Sequence, residues 1–214
     1  MYSGISKPNA RISSPVRNVA GTAAALIAAA LFFLYACPLK ALESEPEENY
    51  QIVTHLSLDA ALKKVFPKAD ETLETKVSLD PEQEKRVRAR VGHPLLQTEY
   101  VIYIGKHKGS VLGYAMVDEE IGKYHPITSI IGVSPQGKVL GVAIMVYRES
   151  RGGEVSRRRF LAQYDGKTSR DPIRTRRDIL SISGATMSVN AISTQVRKVL
   201  AIVDEVFLKG APSK

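Results

Sequence analysis

The residues of this chain best suited to chemistry are Ser181-Ile182-Ser183-Gly184-Ala185-Thr186-Met187-Ser188, which lead directly into a long amphipathic stretch. A helix that begins here has backbone N–H groups without intrahelical acceptors and a partial positive charge, so it attracts phosphate. Gly184 and Ala185 keep the approach open and the backbone permissive. Thr186 and Ser188 are natural caps. On these residues alone two readings stand: a helix start capped by its own hydroxyls, or one that holds an anion. A second segment, Glu149-Ser150-Arg151-Gly152-Gly153-Glu154-Val155, joins a glycine pair to a carboxylate. Glu149 is expected to brace that turn, and a plain glycine-rich loop is the alternative.

Other chemistries are poorly served. There is one cysteine, Cys37, so neither an intrachain disulfide nor a cysteine-built zinc, iron–sulfur or haem site can form. His55, His93, His107 and His125 lie far apart with no ligand spacing. No Ser–His–Asp set, paired carboxylates or P-loop is recognisable, so no catalytic or metal-ligating residue is assigned. The formal net charge is +8, which points to anionic partners rather than to a fold. Residues 148–177 hold ten Lys/Arg against four Asp/Glu, a net +6, densest at Arg157-Arg158-Arg159 and at Arg174, Arg176 and Arg177. These arginines are expected to frame an anion or to attract an acidic partner; a solvated face or contact with anionic lipid is the plainer alternative. Nucleic acid is not expected, because few aromatic residues are available for stacking.

The elements that must position these residues read as α+β: an antiparallel sheet with packed helices, preceded by one transmembrane helix. Ser57 caps a short helix over Leu58–Phe66, ended by Pro67. A strand is expected over Thr72–Leu79, then a helix with Asp80 as N-cap, Pro81 as its first residue and Gly92 as its stop. Tyr100–Ile104 and Ser110–Val117 flank a five-residue hairpin loop, Gly105–Gly109. Ile127–Val133 and Lys138–Tyr147 flank the turn Ser134-Pro135-Gln136-Gly137. These four strands are expected to lay one face on a core. The last helix runs from about Ser188 to Leu208, with Val189, Ile192, Val196, Val199, Leu200, Val203, Val206 and Phe207 on one buried stripe. Asn190, Arg197, Lys198, Asp204 and Glu205 are expected elsewhere on it, with Gly210 as terminator.

The N-terminal part differs in kind. Residues 1–17 are basic, 18–39 carry no charge, 40–50 form an acidic linker, and 51–214 hold the folded domain. As a helix, the uncharged block reaches about 30 Å, the thickness of a hydrocarbon core. Lys7, Arg11 and Arg17 precede it and Glu43, Glu45, Glu47 and Glu48 follow it, so the domain is expected outside the cytoplasm. A stable single-pass anchor in the bacterial inner membrane is expected. A cleaved signal, or lipidation at Cys37, remains open.

Ser183-Gly184-Ala185-Thr186 resembles the Ser/Thr-Gly-Ala-Thr motif of FMN-binding domains. Such domains occur in the small flavin subunits of the Rnf complex and of the sodium-pumping NADH:quinone reductase, and in NosR-type proteins. The resemblance extends upstream through Tyr124-His125-Pro126-Ile127, Ile131–Val139, Glu149–Val155 and Phe160–Lys167, so it covers about residues 95–208 in order. It implies FMN joined by a phosphoester to Thr186, with an ApbE-type flavin transferase making the bond from FAD using magnesium. Ser183, Gly184, Ala185 and Ser188 then belong to the cofactor site, and Gly152-Gly153, with Glu149, lets the backbone pass close to the ring. Two positions depart from the pattern. Leu180 stands where the family often has aspartate, with Asp178 two residues further back, and Arg151 replaces a proline common in Rnf-type subunits. The resemblance favours a membrane-anchored electron carrier with redox partner proteins over a stand-alone oxidoreductase. An FMN-dependent reductase, and a non-catalytic binding or assembly module in which Thr186 only caps, are the alternatives.

Overall fold

The computed structural model describes residues 53–209. The basic N-terminus, the expected membrane helix over 18–39, the acidic linker and Gly210 lie outside the described residues. Among the described residues no helix is long and apolar enough to cross a membrane.

The sheet is an antiparallel meander. Strands β2 (Glu71–Ser78), β3 (Glu99–His107), β4 (Ser110–Ile121), β5 (Pro126–Val133) and β6 (Val139–Tyr147) pair with their chain neighbours, and the two-residue β1 (Val53–Thr54) adds to the free edge of β6. The order across the sheet is β1-β6-β5-β4-β3-β2. Helices α1 (Leu58–Val65), α2 (Pro81–Val91), α3 (Arg158–Leu161) and α4 (Thr186–Val203) complete it. The α+β reading therefore holds over the described residues.

Local chemistry explains the boundaries. The Ser57 side chain accepts from Ala60 N–H at the start of α1. At α2, Asp80 and Gln83 form a reciprocal capping box, Pro81 occupies the first turn, and Gly92 ends the helix in the left-handed conformation. The first hairpin is tighter than the sequence suggests. Gly105 and Lys106 stay in β3, with a bulge between them, and only Lys108-Gly109 turns the chain, both at positive φ.

The sheet is covered on both faces, not one. Residues 127–133 of β5 are buried throughout, as a strand covered on two sides must be. One face carries Ile102, Met116, Ile127, Ile131 and Ile144 against α4 and α2. The other carries Ala115, Ile130, Ala143 and Met145 against Ala61, Val65 and Phe66 of α1 and its end. A Cβ on Gly132 would come within 2.0 Å of Val65, so that glycine sets how closely α1 approaches.

Helix α4 is the main layer. Val189, Ile192, Val196, Val199, Leu200 and Val203 are buried as the spacing requires; Val206 and Phe207 are half-buried. The chain then widens into a π turn, Asp204–Leu208, where Lys209 N–H reaches Asp204 O at 2.9 Å. The wider turn brings Glu205 inward, contrary to its expected outer position. Its buried carboxylate pairs with Arg86 at 2.8 Å and with Lys209. Gln195, fully buried, stitches α4 to the sheet: its Nε2 donates to Asp118 O (3.0 Å) and Ile127 O (2.6 Å), and its Oε1 accepts from Ser129 Oγ (2.7 Å).

Candidate functional site

The loop after α3 meets the sheet and α4 at the first turn of that helix. Ser183-Gly184 makes a turn, with Gly184 at φ +78°, and Ala185 N–H closes it onto Ile182 O at 3.0 Å. Ala185 is the N-cap and has no side chain able to cap; Val189 N–H returns to its carbonyl at 3.0 Å. Thr186 is the first helical residue. The expected capping by Thr186 and Ser188 therefore does not occur, because Thr186 lies one position too late and Ser188 faces inward. The N–H groups of the first turn are left at the tip, aimed out of the helix.

The two hydroxyls have opposite fates. Thr186 is exposed, with Oγ1 3.3 Å from Ser181 Oγ, and Ser183 is exposed beside it. Ser188 is buried and lies 3.0 Å from the Tyr147 hydroxyl at the end of β6. That hydroxyl also donates to Arg151 O at 2.6 Å. Tyr147 has a single proton, committed to the carbonyl, so Ser188 donates and Tyr147 accepts. Burial pushes the Tyr147 phenol above its ordinary pKa, with the Ser188 bond acting in the opposite sense.

Gly152 locks the loop to the helix start. Its φ is +83°, and a Cβ there would lie 2.8 Å from the Ala185 Cβ and 3.0 Å from the Tyr147 hydroxyl. Its neighbour Gly153 opens a 3-10 turn and faces open space. Glu149 does not brace the glycine pair. Its buried Oε1 accepts from the backbone N–H groups of Lys123, Tyr124 (2.8 Å) and His125 (3.1 Å), so it holds the turn between β4 and β5. That turn has three converging amides that need an acceptor, whereas Gly152 is held by packing. Tyr147 is the site residue that sequence reasoning missed. A tyrosine ending an apolar strand reads as ordinary sheet composition.

The surface around Thr186 is apolar where a ring could lie. Leu180 is 77% exposed and Met187 52% exposed. Leu180 N–H donates to Gln163 Oε1 at 2.7 Å while its side chain stands in solvent. Asp178 does not substitute for a carboxylate at position 180. It accepts from Lys167 Nζ (2.8 Å) and from the Ile173 and Arg174 amides. Burial works against its charged form, but these bonds together hold the carboxyl below its usual pKa. The arginines divide among different surroundings, and the loop that carries Arg174 and Arg176 is tied to α4 one turn beyond Thr186 by Thr175 Oγ1 donating to Asn190 Oδ1 at 2.8 Å. Arg158 pairs with Asp165 at 2.5 Å, Arg157, Arg159 and Arg176 are exposed, and Arg174 and Arg177 line a separate cavity. Among the described residues no group of His, Cys, Asp and Glu converges as a metal site would require.

An accessible hydroxyl, a helix start without a side-chain cap and two exposed apolar side chains, Leu180 and Met187, occur together in this segment. The FMN-binding domain model matches residues 122–201. That span runs from the turn held by Glu149 to the second half of α4. No curated protein matches the chain. Among solved structures, NqrC of Shewanella oneidensis is 13% identical, with a TM-score of 0.50, over 70% of this chain and 88% of that one. A Na(+)-translocating NADH-quinone reductase subunit of Parabacteroides distasonis is 19% identical, with a TM-score of 0.48, over 73% and 86%. At 13% identity the likeness to NqrC is one of fold alone. Residues 122–201 thus match an FMN-binding domain, and that match supports FMN as the cofactor.

Proposed function

We propose that the chain is an electron-transfer flavoprotein, held outside the cytoplasm by the 18–39 segment, with FMN bonded through its phosphate to Thr186. One observation carries the covalent reading: the exposed Thr186 hydroxyl is the first side chain of an 18-residue helix that no side chain caps. A phosphodiester there keeps about one negative charge, which the free N–H groups and the helix dipole stabilise. Gly184 gives the turn its left-handed residue, and Ala185 packs on Gly152, so the hydroxyl is presented from a fixed base. Tyr147 and Ser188 hold that base from inside. Leu180 and Met187 supply apolar contact for the ring, and Glu149 fixes the Lys123–His125 turn. Bound FMN supplies one- and two-electron redox chemistry, and the protein sets its exposure.

The fold shared with NqrC, together with the membrane block read in the sequence, supports a carrier working beside redox partner proteins. A flavin transferase of the ApbE type would load it from FAD. Leu180, in place of the family's frequent aspartate, is the position at which recognition by that enzyme is tested most directly.

The experiment is co-expression with a flavin transferase followed by intact mass. Wild type should gain the mass of one FMN less one water, and Thr186→Ala should gain nothing. An adduct that survives Thr186→Ala would move the bond to Ser181 or Ser183, since Ser188 is buried. No adduct under conditions that load a known substrate would overturn the covalent reading while leaving FMN as a dissociable cofactor. Steady turnover of a donor and acceptor without a partner protein would favour a reductase over a carrier.

A further inference from the structure

A second concave site lies further along α4. A cavity of about 330 Å³ opens between the 169–177 loop, α2 and α4, and its lining includes Arg90, Arg170, Arg174, Arg177 and Arg197 against a single carboxylate, Asp171. Arg90 is paired, with Asp204 at 2.6 Å. Asp171 is spent on its own loop, accepting from the Thr168 amide and hydroxyl, both at 2.8 Å. Among the described residues no carboxylate pairs with Arg170, Arg174, Arg177 or Arg197.

Arg197 is the informative member. Its guanidinium is half-buried, donating to Ile173 O at 2.7 Å and to Thr194 Oγ1 at 3.0 Å, and its Nε is buried with no acceptor. Its bonds go to neutral oxygens only. Burial, and then the nearby Arg174, push its pKa below the ordinary arginine value. A half-buried cation beside Arg174 opposes folding, Glu120 and Asp178 offset this only in part, and an anion in the cavity would offset more. The guanidinium is planar and pairs with phosphate oxygens through two parallel bonds, so the chemistry selects an oxyanion. Four unpaired guanidinium groups exceed what one phosphate neutralises. The cavity lies at the small end of the range for ligand pockets. Arg197 stands eleven residues beyond Thr186 on one helix, so it lies about 16 Å from Thr186 along the axis.

We propose that this cavity is a second anion site, taking a small ligand that carries a diphosphate or a comparable pair of phosphate groups, and acting independently of Thr186. The ligand's phosphates can come from a soluble metabolite or from a lipid headgroup.

The test is calorimetric titration of the full chain, in nanodiscs of phosphatidylcholine, with inorganic diphosphate and with inorganic phosphate. Diphosphate should bind saturably, one per chain, at least tenfold more tightly than phosphate. The double variant Arg174→Ala/Arg177→Ala should lose at least tenfold in affinity. Arg157→Ala/Arg159→Ala, with the same change in charge but outside the cavity, should bind as wild type. All four side chains are exposed, so the folds are expected to persist, and matched melting curves verify it. Thr186→Ala should also bind as wild type, whatever its flavin content. Repeating the titration with phosphatidic acid in the discs separates the sources: competition points to the headgroup, and unchanged affinity to a soluble ligand. Absence of saturable binding, equal losses in both double variants, or loss in Thr186→Ala would each overturn the proposal.

Discussion

At the scale of single residues, the proposed site depends on positions that the phosphate would not touch. Gly152 is one. Any side chain there must adopt φ near +83° and enter the space of Ala185. The left-handed conformation alone costs about 1–2 kcal/mol. Gly152→Ala should lower the melting temperature and cut flavin loading while Thr186 stays intact, with both read on one preparation. Tyr147 is the other. Tyr147→Phe strips a partner from the Arg151 carbonyl and from the buried Ser188 hydroxyl, and leaving a buried polar group unsatisfied costs roughly 1–3 kcal/mol. We expect a lower melting temperature with reduced, not abolished, FMN adduct. Full loading at unchanged stability would show that the Tyr147–Ser188 pair does not hold the helix start. The turn and helix start at Gly184–Thr186 were legible because a glycine ahead of an apolar-periodic stretch leaves a local pattern. Tyr147 was not, because its role depends on a contact 41 positions away in the chain.

At the scale of elements, the sequence was clearest where a boundary is set by neighbours a few residues away. Ser57, Asp80-Pro81 and Gly92 act locally, and the structure uses each as expected, with Gln83 completing the cap at Asp80. It was least clear where packing decides. Gly105 reads as a turn residue, yet it stays in β3, where a Cβ would come within 2.6 Å of Phe66. Glu205 reads as solvent-facing until the π turn brings it inside. Asp118, on β4, is a further case: it is buried and pairs with Lys198 of α4 at 2.9 Å. Burial, only partly offset by Lys198, raises its pKa from 3.8 to about 6. An acid raised in this way binds its proton more tightly in the folded state. Its contribution is complete below pH 3.8 and is lost as the pH climbs through about 6. The amount is on the order of 1–3 kcal/mol. Chemical denaturation from pH 4 to pH 7 should show wild type losing ground against Asp118→Asn as the pH rises. Parallel curves would show that Lys198 fully compensates for the burial.

At the scale of the whole molecule, contacts divide the chain at about residue 47, and the unit from Glu48 onward contains both core clusters. On the proposed reading, deleting residues 1–47 should leave the melting temperature within about 2 °C of the full chain and preserve flavin loading, while moving the protein from the membrane to the soluble fraction. A large drop in melting temperature would mean that the first unit contributes to the fold. The helix start described above also has a meaning for the molecule's history. Ala185 offers the first turn of α4 no acceptor, so the newly folded protein carries an incomplete end on its principal helix. On the proposed reading the phosphate is the missing cap, worth on the order of 1 kcal/mol. Maturation and stabilisation then become one event. Amide exchange at Thr186, Met187 and Ser188 should slow on loading, and a protease could tell finished molecules from blank ones by the fraying of a single turn.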